Sequence, residues 1–116
     1  MNSQLIEQRW NSYMAAFGTV SEHERERLLE NSVSEDVVFT NPGGAGNSRA
    51  GLHAHITGFQ KANPGAYFRT EKLFPQDDKL LAIWAMYKQD GAKLATGYNF
   101  VTPNSDGLFN YMAGFF

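Results

Sequence analysis

The chain has 116 residues, a length that fits one domain over 1–116 and buries about two-thirds of its unfolded surface in a single core. Its formal charge of -2, from 10 basic and 12 acidic residues, leaves no basic footprint for nucleic acid or an anionic membrane. Cysteine is absent, which excludes disulfides, thiolate metal sites and cysteine nucleophiles, and three histidines make a zinc site improbable; neither a metal nor a cofactor is expected. Aromatic residues reach 14% although mean hydropathy is negative, so large rings carry much of the apolar area.

The first ten residues, MNSQLIEQRW, place Glu7 and Arg9 where a signal peptide needs an apolar stretch, and no apolar run reaches the roughly 18 residues of a membrane span. A cytoplasmic location is the default expectation. Ile6, Trp10, Tyr13 and Phe17 form an apolar stripe at helical spacing, and Gly18 closes that first helix. Ser21 and Glu24 have capping-box spacing and open a second helix, SEHERERLLEN. Its charges pair Glu22 with Arg25, Glu24 with Arg27 and Arg27 with Glu30 at i+3, which reads as a solvated face.

Asp36 to Thr40, with Val37, Val38 and Phe39, reads as the first strand. It ends on Asn41, and the glycine-rich run NPGGAGNSRAG that follows is expected to be an irregular loop. Leu52, His55, Ile56 and Phe59 mark a third helix, stopped by Asn63, Pro64 and Gly65. Four extended runs follow, Ala66 to Phe74, Leu80 to Lys88, Lys93 to Thr102 and Leu108 to Phe116, separated by PQDDK, QDG and PNSDG turns. The order implies an α+β domain with three helices on one face of a curved, mostly antiparallel sheet.

In the run from Leu80 to Tyr87 both alternating faces are apolar. An antiparallel sheet usually shows one face to water, so the face bearing Trp84 and Met86 is expected to be the outer one, covered by a second subunit in a homodimer.

The ordered set SEDVVFTNP, G-L-x-x-x-I, W, D-G, G-Y-N-F, D-G and A-G-F-F resembles the SnoaL-like group of the nuclear transport factor 2-like superfamily over essentially the whole chain. The resemblance implies a cystatin-like cone, a strongly bent sheet wrapped on the helices around an apolar cavity. Relatives include ketosteroid isomerases, polyketide cyclases and dehydratases, so fold alone does not select a reaction. Against the isomerase pattern, Tyr13 in YMAAF matches the oxyanion tyrosine, Asn41 stands where the general-base aspartate precedes a proline, and Asn99 in GYNF stands where a protonated aspartic acid helps bind the oxyanion. An amide cannot take a proton near neutral pH, so isomerase chemistry by that route is lost, while Asn99 can still donate a hydrogen bond.

Each candidate also has a plainer reading. Tyr13 can be simple core on a helix stripe, Asn41 a turn-former before Pro42, Asn99 a polar strand residue, and His55 a silent histidine on an apolar helix face. The expected site takes Tyr13 and His55 as the groups able to act chemically. Its walls are Trp10, Phe17, Phe39, Ile56, Phe59, Ile83, Tyr87 and Met112, and Asn41 and Asn99 are its polar contacts. Three functions stay open: binding of a small, largely apolar molecule; an isomerase-, cyclase- or dehydratase-type enzyme in which His55 or water serves as base; and a protein-interaction module with a filled cavity.

Overall fold

The computed structural model describes residues 3–116. Helices α1 (Ser3–Ala16) and α2 (Glu22–Glu30) precede strands β1 (Val33–Asn41) and β2 (Gly44–Asn47), then come α3 (Arg49–Ala62) and strands β3 (Tyr67–Gln76), β4 (Lys79–Tyr87), β5 (Lys93–Pro103) and β6 (Phe109–Phe115). One six-stranded sheet has the order β2-β1-β6-β5-β4-β3. Its last four strands are an antiparallel meander, and β1 returns parallel to β6, which makes the sheet mixed. Register shifts interrupt four of the five strand pairings, β1 with β6 and each neighbouring pair of the meander, and such irregularities bend a sheet. The result is the expected α+β cone.

The apolar stripe of α1 is buried at Ile6, Trp10 and Tyr13 and meets Leu29 of α2, Leu52 and Ile56 of α3, and the concave side of the sheet at Val37, Leu80, Val101 and Phe109. Ser21 caps α2 as its spacing predicts, accepting from the Glu24 N–H at 3.0 Å, and Glu24 itself turns to Arg27. Among the described residues no helix is long and apolar enough to cross a membrane.

Three expectations are corrected here. The glycine-rich run is not wholly irregular: Gly44–Asn47 pairs antiparallel with Val38–Asn41, the reversal being made by the Gly43 N–H bond to the Asn41 side chain and by Gly44 at a φ of 150°. The charged run of α2 is not wholly solvated either. Arg25 is buried and its guanidinium donates to the carbonyls of Ala16 (2.9 Å) and Gly18 (3.0 Å), tying the end of α1 to α2, while it pairs with Glu22.

The third correction concerns β4. Trp84 and Met86 lie on the concave side with Leu80 and Ala82, and the outer face carries Leu81, Ile83, Ala85 and Tyr87. Both faces of this strand are apolar, so alternation alone fixed the two sets and not which one points inward. The decisive feature lies on the next strand. Gly97, paired with Trp84, leaves space into which the indole folds: a Cβ there would fall 2.2 Å from the ring.

Candidate functional site

Between α1, α3 and the concave sheet lies a cavity of about 550 Å³, within the range usual for small-molecule pockets. Of the predicted residues, Tyr13, Phe17, Phe39, Asn41, His55, Phe59, Asn99 and Met112 line it. Four do not. Trp10 and Ile56 are buried in the core behind it, Trp10 donating from Nε1 to the Thr70 hydroxyl at 2.8 Å. Ile83 and Tyr87 fall on the outer face through the β4 parity just described, and Tyr87 stacks on Tyr67 across the strand pair at 5.3 Å.

Sequence reasoning missed Phe68, Trp84, Met86 and Phe116 as walls. The three aromatic ones extend a chain of rings: Phe17 packs on Phe59 and Phe68, Phe68 on Trp84 at 5.1 Å, and Trp84 on Phe116 at 5.5 Å. Gly97 opposite Trp84 was the signal that could have turned that strand the right way round. None of the lining residues is Asp, Glu, Lys or Arg.

The polar groups of the cavity have definite orientations. The Asn41 side-chain oxygen accepts from the Gly43 N–H at 2.8 Å, and the Asn99 oxygen accepts from the Trp84 indole N–H at 2.9 Å. A backbone N–H and an indole N–H can only donate, so these two contacts decide which amide atom is oxygen. Each amide NH2 is thereby directed away from those partners. That of Asn41 lies 3.3 Å from His55 Nε2, and the Asn99 NH2 has no partner among the described residues.

The two asparagines flank Gly114, where a Cβ would stand 3.2 Å from the Asn99 oxygen and 3.3 Å from the Asn41 Cβ. Tyr13 completes the set. Burial pushes its phenol far above the usual range, so it is a neutral hydroxyl, and no described group hydrogen-bonds to it.

A family profile described as the SnoaL-like domain matches residues 11–110. Among solved structures, the chain is similar to a candidate isomerase of the SnoaL-like family from Agrobacterium tumefaciens, at 21% identity and a TM-score of 0.89 over 97% of each chain. It is also similar to a protein of unknown function with a cystatin-like fold from Methylobium petroleophilum, with 15% identity, a TM-score of 0.81, and coverage of 99% of this chain and 77% of that one. A candidate polyketide cyclase from Sinorhizobium meliloti matches at 15% identity and a TM-score of 0.75 over 98% and 99% of the two chains. No curated protein matches the sequence. These identities carry the fold alone, and with the profile match they place the chain in the SnoaL-like domain family.

Proposed function

We propose that this protein binds a small, largely apolar, uncharged molecule through a hydrogen-bond acceptor oxygen, such as a ketone or ester carbonyl. The observation that carries this reading is the orientation of both amides: the Asn41 oxygen accepts from the Gly43 N–H and the Asn99 oxygen from the Trp84 indole, so each turns its NH2 away from those partners. Tyr13 adds a neutral O–H. A carboxylate ligand would enter a wall lacking Lys and Arg and carry an uncompensated charge. An alcohol could accept from Asn99 as well, but its own proton must also be placed, on a hydroxyl oxygen such as that of Tyr13, a demand that a ketone does not make.

A thermal-shift series with uncharged alicyclic and aromatic ketones is expected to raise the melting temperature. A flat response across the series, from bicyclic to steroid size, would reject the binding reading.

A second reading, an isomerase-, cyclase- or dehydratase-like enzyme, is favoured by the presence of His55 in the cavity. It requires that replacing His55 by Ala abolish turnover of an enolisable ketone.

The homodimer is proposed with a different contact surface from the one the sequence suggested. The convex face carries Phe74, Leu81, Tyr98, Tyr111 and Phe115, each at least 39% exposed, and the paired rows Phe74–Leu81 and Tyr98–Phe115 lie on it. A second copy offers a matching apolar face. Sedimentation should give a dimer that Tyr98→Glu dissociates, and a monomer of the unaltered protein at micromolar concentration would reject it.

A further inference from the structure

Asn41 divides its amide between two jobs. Its oxygen accepts the Gly43 N–H two residues on, an Asx turn that carries the chain through Pro42, and Gly43 is held close enough that a Cβ would lie 3.1 Å from that oxygen. With the oxygen committed, the atom 3.3 Å from His55 Nε2 is the amide nitrogen, which has no lone pair to offer and can only donate. A donor facing Nε2 requires that Nε2 be the unprotonated nitrogen.

We infer that Asn41 is a positioning residue that holds His55 in the neutral tautomer with its proton on Nδ1. Which ring nitrogen carries the proton is set by what the other one meets, and here an amide N–H occupies the Nε2 lone pair. A proton on Nε2 would face the amide hydrogens, so the contact accommodates the tautomer that carries it on Nδ1. The nearest ring is Phe39, with centroids 5.6 Å apart, which offers no acceptor for a second N–H.

The consequence deepens the binding reading by removing its competitor's base. His55 is the only histidine among the residues lining the cavity, and its unprotonated nitrogen is already engaged by Asn41. Substituting a carboxylate at 41 reverses the logic, because it can accept but not donate. Asn41→Asp should move the neutral-form proton to Nε2 and restore an acid–imidazole pair beside the cavity.

The test is 15N-detected ring spectroscopy of the ligand-free protein, with His55 assigned through His55→Gln. In the unaltered protein the deshielded, unprotonated nitrogen should couple to both ring protons, which identifies it as Nε2. In Asn41→Asp the nitrogen with that coupling pattern should become protonated. A deshielded Nδ1 in the unaltered protein would overturn the inference, even if the variant does not fold, and so would an unchanged His55 pattern in a folded Asn41→Asp. Neither result depends on ligand binding, so a failed ketone series and a wrong tautomer remain separable findings.

Discussion

The two sides of α3 treat histidine in opposite ways. On the outward side, His53 meets Glu26 from Nδ1 at 2.8 Å and Glu22 from Nε2 at 2.7 Å. Partial burial works against its charge, but the hydrogen bonds it makes to the two carboxylates outweigh that and raise its pKa. Two residues on, His55 faces a cavity without a charged wall and meets an amide that donates to it. One imidazole has its charged form favoured by two carboxylates that tie α2 to α3, and the other meets an amide at a pocket. A helix presents its faces at fixed angles, so two histidines two apart in sequence sample separate environments, and the environment decides what each can do.

The largest effect should come from disturbing the inner side through Gly97. Gly97→Val puts side-chain atoms into the space of the Trp84 indole, so the ring must leave its seat and its hydrogen bond to Asn99. Overpacking of this kind costs about 1–3 kcal/mol, and ketone binding should be lost. Chemical denaturation and a thermal shift with ketone would check both, and unchanged binding would separate the indole from the site.

Asn99→Leu is next. It leaves the buried Trp84 N–H without its acceptor, at about 1–3 kcal/mol, and removes a donor from the cavity. Ketone affinity should fall about tenfold, equivalent to roughly 1.4 kcal/mol. Gly114→Ala is a subtler probe: its methyl group would crowd both asparagines at 3.2–3.3 Å, so binding should weaken while urea stability changes little. A variant that binds as before would show that the space between the two amides is not used.

The outer side gives the smallest effect, with its sign fixed by linkage. His53 has a raised pKa in the folded state, so its stabilisation is full below the unfolded value of about 6.5 and is lost as pH rises through the folded value. Glu22, held low first by the Thr57 hydroxyl and then by His53, contributes above about 4.3 and loses its contribution as pH falls through its lowered value. Urea midpoints should therefore decline on the alkaline side, and His53→Gln should flatten that decline. An unchanged alkaline limb would mean that the His53 cation contributes nothing to holding α2 on α3.

Much of this architecture was legible from residue order. Helical stripes and turn chemistry locate all three helices and the four-strand meander, because those signals are local. The inward face of β4 was not legible, since Leu80, Ala82, Trp84 and Met86 alternate with an equally apolar set. Nor was Arg25: at i+3 from Glu22 it looks like a surface pair, and only the end of α1, brought up by tertiary packing, supplies the carbonyls that bury it. Tyr13, Asn41, His55 and Asn99 were legible as a group. The plain reading of Asn41 as a turn-former is realised by its oxygen, while the nitrogen of the same amide turns to His55. Hydrogen-bond direction lies beyond any residue pattern, because it depends on which donors the fold brings to each oxygen.

The most direct measurement is a calorimetric comparison of 2-decalone with 2-decalol, one skeleton bearing either an acceptor alone or a hydroxyl. If the cavity presents chiefly donors because both amide oxygens already accept, the ketone should bind about fivefold or more tightly, equivalent to roughly 1 kcal/mol. Equal affinities, or a preference for the alcohol, would contradict the account.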